Sequence, residues 1–404
     1  MFKNLLLVTA LTVGAIAQPT PTEVKKEEID IKAFIQKSID DLQNGKSDVD
    51  EWIIRDRNQR ATGESLSTIH VFTDINQSVE KNNTTPIAQI EDLGFAHDIN
   101  YSKESFEATS ILSLLNIQDL TESEKKLAKK VVDEKIVVMH SDYNLKDNKF
   151  NIVFKDINTS AEKATVVTKN VKLSGVYDID NPLDNKVEFT IDSLDVIPFT
   201  AEFLGDYLKI KNLKFVSQSV VKNKTLDNTY NITIDLYDAN ITKEYSKLSN
   251  LDIDIVFGNL DADAYMELEK LRDEDPTTAL ESEKLQELAI KLVTSKGVYA
   301  EIKKLNIGEL IVEGKNIGSA NISAKVSLEE NKELATMIAM NPLMALSSVK
   351  VDAKIELSKE MLRAIMKDKR AGLLAILPSK EVDGKIVYVI KYGKGKLTVN
   401  GQAL

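Results

Sequence analysis

Three histidines, His70, His97 and His140, are the side chains best suited to metal or proton chemistry, and their spacing supports neither. None has a second histidine four residues away, and cysteine is absent. A metal site needs several convergent ligands, so each histidine is expected to be structural. No serine lies in a G-x-S-x-G elbow and no Walker loop occurs; Gly314-Lys315 reads as a turn. Asp178-x-Asp180 and Asp142-x-Asn144 begin like calcium loops. Neither supplies the central glycine and the closing bidentate glutamate, and the position for that acid counted from Asp178 is Phe189. Asp252 and Asp254 face outward on one strand pattern, while Asp261 and Asp263 stand at a helix start. A general acid–base pair needs a sheltered cleft as well as two carboxylates. The expectation is a non-enzymatic chain with no cofactor and no metal.

Two other patterns could carry function. Met337, Met340 and Met344 recur at helical spacing in an apolar stretch from Leu334 to Leu346. Such a stripe belongs to a core helix, or forms a soft wall for a lipid or apolar peptide. Nine Asn-x-Ser/Thr sequons occur, and five have an acid two residues earlier: Asn76, Asn82, Asn100, Asn158 and Asn240. This spacing resembles the extended acceptor signal of bacterial oligosaccharyltransferases, and those five asparagines are the expected glycosylation sites. Asx chemistry in turns is the competing explanation.

Sequons matter only in an exported chain, and the first residues read as an export signal. Lys3 precedes an apolar run from Leu5 to Ile16, and Ala15-Ile16-Ala17 is a small-x-small cleavage site. The run is shorter than the roughly 20 residues that span a bilayer. Residues 1–17 are therefore expected to be a signal peptide and 18–28 a flexible leader, which places the protein in the periplasm. An uncleaved anchor in the inner membrane, facing the periplasm, is the alternative. The 404 residues are 43% hydrophobic, enough for a large core, but the core must hold without disulfides. The net charge is −11, and no basic stripe suggests nucleic acid. With Trp52 the only tryptophan, an aromatic sugar platform is poorly supported.

The elements follow from hydrophobic period. Residues 29–56 show helical spacing that Gly45 ends, strand-like alternation begins near 66, and 106–139 reads as helix with a capping box at Thr121-Glu122-Ser123-Glu124. Residues 29–135 thus form an N-terminal helix-containing region. From 136 to 404, alternation dominates, as in Leu208–Phe215 and Tyr230–Tyr237, with turns at Asp147-Asn148, Asp227-Asn228 and Asn316-Ile317-Gly318. Two strand–cap–helix units stand out, one through Asn259-Leu260-Asp261 and one through Ser358. The fold class is α+β: a long curved antiparallel meander with helices packed on one face.

The closing hairpin, Tyr388-Val-Ile-Lys-Tyr392-Gly-Lys-Gly395-Lys-Leu397-Thr-Val-Asn400-Gly401, resembles the C-terminal end of the YdgA-like family of bacterial envelope proteins. Asn259-Leu260-Asp261 with its helix, and Asn341-Pro342-Leu343 through Ser358, are similar as well; the likeness runs loosely over 170–404. The resemblance implies a curved antiparallel sheet with helices on one side and lends no catalytic residue. Residues 29–135 show no clear match. The functional expectation is a periplasmic protein that binds a lipid, another envelope component or a protein partner. A self-associating scaffold of the envelope (a homo-oligomer) and a carboxylate-dependent cell-wall hydrolase are the alternatives.

Overall fold

A computed structural model describes residues 52–62, 67–77, 90–101, 105–117, 122–144, 148–161, 164–177, 183–197, 207–241, 244–274, 283–294, 296–329, 334, 347–366 and 377–404. The chain divides into two compact units, the first through Pro182 with residues 197–204, the second Leu183–Val196 with Gly205–Leu404.

In the first unit, β1 (Trp52–Thr62), β2 (Ser67–Gln77), β3 (Ile90–Tyr101) and β4 (Ser105–Ile117) pair antiparallel in sequence order. Helix α1 (Glu122–Asp133) connects β4 to β5 (Val138–Asn144), which continues the ladder to β6 (Lys149–Phe154). β7 (Ile157–Ala161) and β8 (Ala164–Lys169) form a hairpin, and β9 (Lys172–Tyr177) pairs with β6. Met139 and Ile152 anchor a small core with Phe150, Phe154 and Leu173.

This region corrects the expectation of helix over 106–117. The run is strand β4, and the helix begins only at Glu122, one residue after the expected cap Thr121. The misleading signal has a physical cause. Gly94 faces Leu114 while Phe95 faces Leu112, so Ser113 is an extra residue in the ladder. A bulge shifts the side-chain phase by one, and the apolar residues around it then imitate helical spacing. Likewise residues 52–56, at the end of the stretch with helical spacing, belong to β1; residues 29–51 lie outside the described residues.

The second unit is a meander of long strands: β10 (Asn185–Ile197), β11 (Tyr207–Lys222), β12 (Thr225–Ile241) and β13 (Glu244–Asp261). Helices α2 (Ala262–Glu274) and α3 (Glu283–Thr294) intervene before β14 (Tyr299–Val312), β15 (Lys315–Leu328) and β16 (Val349–Leu357). Helix α4 (Lys359–Ile365) leads to β17 (Lys380–Val382), β18 (Lys385–Gly393), β19 (Lys396–Val399) and β20 (Gln402–Ala403). β18 lies beside β16 and pairs with β17 and β19, and β20 pairs with β19. The antiparallel meander with a few helices agrees with the sequence reading.

Strands β11 to β13 have 16, 17 and 18 residues, about three times the usual length. β11 and β13 are interrupted by left-handed backbone. Asn212 (φ 49°) donates its side-chain amide to Asp235 at 2.6 Å, and Asn250 (φ 52°) meets Gly308 of β14, where an added Cβ would lie 2.9 Å from the Asn250 Cβ. Asn306 donates to the Asn250 carbonyl. These positions follow one another across β11 to β14 and form a transverse line of bends. Asparagine tolerates this conformation at small cost, and bends and bulges are what curve a long sheet.

Both strand–cap–helix units are present. Asp261 accepts from the Ala264 amide at 2.9 Å at the start of α2, and Ser358 accepts from the Met361 amide at 3.1 Å at the start of α4. Two expected turns lie elsewhere. The β11–β12 turn is Asn223-Lys224, while Asp227 sits inside β12 and accepts from the Asn259 amide. The β14–β15 turn is Glu313-Gly314, and Gly318 (φ 101°) is a bulge within β15. A side chain at Gly318 would overlap the Ser358 hydroxyl, so glycine is required for α4 to dock.

Asn400, the most specific residue of the resemblance, closes the last hairpin. In left-handed conformation (φ 51°) it accepts from the Val389 amide at 3.0 Å and donates to the carbonyls of Pro378 at 2.7 Å and Val387 at 3.1 Å. Each such bond contributes about 1 kcal/mol. Asn400→Ala is predicted to lower the unfolding free energy in urea by about 2–4 kcal/mol. Asn400→Gly, which keeps the backbone geometry, is predicted to recover about 1 kcal/mol of that loss.

Candidate functional site

In antiparallel sheets, directly opposed residues share a face. Tracing the register across the second unit therefore gives rows of side chains. One row runs Phe189–Phe215–Ile232–Ile253–Leu305–Ile322–Ile355–Tyr388, from β10 to β18, and is apolar along its length with an aromatic residue at each end. Two positions along, Tyr230–Ile255–Ile302–Ala324–Ala353–Ile390–Val399 forms a second row. A third, Phe257–Ala300–Val326–Val351–Tyr392–Leu397, follows. The rows share one face, and Tyr230 and Phe257 meet edge to face at 6.3 Å.

The face is closed in some places and open in others. Helix α4 covers one corner, where Met361, Leu357 and Ala320 are buried with Ile307, Leu310 and Ile355 around them. Tyr388 is 2% exposed. Along the rows, Phe215, Ile232, Ile253, Leu305 and Ile322 are only half-buried, and Phe257 and Val326 are 43% and 44% exposed. Scattered exposed apolar residues are ordinary, but contiguous rows mark binding surfaces. At about 4.8 Å per strand, the first row extends about 34 Å.

The opposite face is polar and laddered with ion pairs. Lys304 bridges Asp252, Lys325 bridges Glu301 at 3.2 Å and Lys214 bridges Glu188 at 2.7 Å. The Lys214 ammonium holds the Glu188 carboxyl below the usual carboxylate range. Three of the four acids noted in the sequence have partners: Asp252 is in the Lys304 bridge, Asp261 caps α2, and Asp263 pairs with Lys224 at 3.1 Å, whereas one carboxylate oxygen of Asp254 is buried without a hydrogen-bond partner. Asp142 accepts from Asn151 rather than opening a calcium loop.

The histidines are arranged more closely than sequence distance suggests. Register sets His70 opposite Asp98, Asp98 opposite Thr109, and Thr109 opposite His140, whose Nδ1 is 3.1 Å from the Thr109 hydroxyl. The row extends about 14 Å across four strands. His97 is opposite Val71 and Ser110 in the register. Among the described residues no group of three potential ligands converges.

Met337, Met340, Met344 and Asn82 lie outside the described residues. Leu334, at the start of the methionine stretch, is helical and fully buried. Asn76 and Asn100 fall within β2 and β3. Asn158 is exposed on β7, and Asn240 is half-buried between Tyr207 and Tyr245 on the flanking strands. The apolar rows themselves escaped sequence reading because register between strands is not written in any one strand. The alternation that builds them was visible in each.

The geometry defines a long antiparallel sheet whose second unit has one apolar and one polar face. The family described as bacterial protein of unknown function (DUF945) matches residues 75–374, and the chain belongs to it. The match takes in β3 and β4, where the sequence reading found no likeness, and ends before the closing hairpin. No curated protein and no solved structure shows significant similarity to the chain.

The Glu188 shift has a pH consequence. A carboxyl with a lowered folded pKa contributes stability above its unfolded pKa, and that contribution is lost as pH falls through the folded value. Glu188→Gln is therefore predicted to flatten the loss of stability below about pH 4.5 while changing little at pH 7. Urea titrations at pH 3 to 7 measure it.

Proposed function

We propose that this chain is a YdgA-like envelope protein, exported by residues 1–17, that binds the acyl chains of an envelope lipid along the apolar face of the second unit. The observation that carries this reading is the half-open stretch of the first apolar row, from Phe189 to Ile322. At about 4.8 Å per strand it extends about 24 Å, more than the ~15 Å depth of one leaflet's hydrocarbon, so it accommodates a whole acyl chain. Each methylene removed from water contributes about 0.8 kcal/mol. No charged side chain interrupts the three rows, and the opposite face keeps the sheet wet. The exposed Asn158 is the described sequon best placed for glycosylation of the folded chain.

Native mass spectrometry of the protein purified from cells is expected to show bound lipid mass that solvent extraction removes. Val326→Asp and Phe257→Asp place a charge on the open part of the face. They are predicted to lose that lipid and to change unfolding free energy by less than about 1 kcal/mol, because these side chains are already exposed. Lipid-free protein from cells, or unchanged lipid in both variants, contradicts the reading.

A further inference from the structure

At the far end of β15, β16, β18 and β19 lies a depression of about 540 Å³, lined mostly from the polar rows, with Val351 and Tyr392 of the third apolar row also reaching it. Lys325, Lys350, Lys391, Lys394 and Lys396 line it, with Asp352 the one acid among its lining residues. Register explains the crowding. Lys325, Asp352, Lys391 and Thr398 are successive members of one row, and Lys350 and Lys396 belong to the next. Gly393 stands between Lys350 and Lys396, and a Cβ there would meet only the Lys350 stem, at 3.8 Å. The missing side chain is what makes the surface concave.

Three of the lysines are held in place. The Lys325 ammonium sits 4.0 Å from the centroid of the Tyr299 ring and 3.2 Å from Glu301. Tyr299 lies flat across Gly258, where any side chain would collide with the ring. Lys350 pairs with Glu329 at 2.5 Å, and Lys391 lies 3.9 Å from Asp352. Bonding to Lys350, with the nearby field of Lys394, holds the Glu329 carboxyl below its ordinary value. Lys394 and Lys396 have no ion pair among the described residues. Five ammonium groups thus face three carboxylates, a local cationic excess in a chain of net charge −11.

We infer that this depression is a binding site for a phosphate group. Like charges gathered on a solvated surface repel one another, and an anion relieves the cost. Lysine acts on phosphate as a point charge. Ammonium groups from separate strands approach a tetrahedral anion from several directions, whereas a planar carboxylate is best matched by the fork of arginine, absent here. The Ser327 and Thr398 hydroxyls add neutral donors. The phosphate comes either from a soluble molecule or from a phospholipid headgroup. The lysines that carry the inference belong to polar-face rows, so phosphate binding is read independently of acyl-chain binding.

The test uses the full chain. Thermal unfolding is compared in inorganic phosphate and in chloride at equal ionic strength, and vesicle sedimentation compares phosphatidylcholine with and without phosphatidylglycerol. The disabling variant combines Lys396→Gln with Lys394→Asn, since asparagine suits the positive φ of 53° at that turn. Lys211→Gln, on β11, is the control for general charge. Phosphate is expected to raise Tm of the wild type and the control, with the rise at least halved in the double variant. A rise with inorganic phosphate assigns the site to soluble phosphates. Variant-sensitive retention on phosphatidylglycerol vesicles, without that rise, assigns it to headgroups. No response to either probe, or an equal response in the double variant, overturns the inference. If the double variant melts early in chloride, Lys396→Gln alone is read in its place.

Discussion

Cross-strand register is the constraint on which the second unit depends. Side chains alternate with a period of two, so a slip of one residue between any two strands would send a whole set of apolar groups to the wet face. Across β10 to β18 the pairing instead keeps apolar opposite apolar, from Phe189 to Tyr388. Where strands carry irregularities, these are absorbed in matched positions. The extra residue Lys303 in β14 restores the phase between Ile302 and Leu305, which face Ala324 and Ile322. The polar ladder on the other face reinforces the same register, with Glu301 to Lys325 and Lys304 to Asp252 linking neighbouring strands.

A sheet held in this way has two unlike surfaces, and its helices address only part of them. Helix α4 is fixed by Ser358, whose hydroxyl accepts from the amides of both Met361 and Ser319 and so ties the helix to the sheet beneath. That contact needs glycine at 318. Beyond α4, the apolar rows are left half-open. Burying such rows is the main favourable term in folding a domain, and here part of that term is left unrealised.

How much of this was legible in the sequence depends on how local each feature is. Alternation in Tyr230–Tyr237, the caps Asp261 and Ser358, and the closing hairpin are written in short stretches and are found as expected. Ser105–Ile117 was misread because a bulge at Ser113 mimics helical spacing. The turns expected at Asp227 and Asn316 lie elsewhere because Asp227 bonds the Asn259 amide inside β12 and Asn316 stands beside the bulge in β15. The row of apolar side chains and the lysine depression were invisible because each is assembled from several strands, one or two residues from each.

Acyl-chain binding as proposed requires that the apolar face meet the chains while the opposite face does not. The chain has no cysteine, so single cysteines can be introduced on β15, Val326→Cys on the apolar face and the exposed Ser323→Cys on the polar one. Each is labelled with a polarity-sensitive fluorophore and titrated with short-chain phosphatidylcholine below its micelle concentration. A saturable blue shift at position 326 with little or none at 323 is the predicted result. Equal shifts at both positions, or no saturable shift at 326, would contradict it.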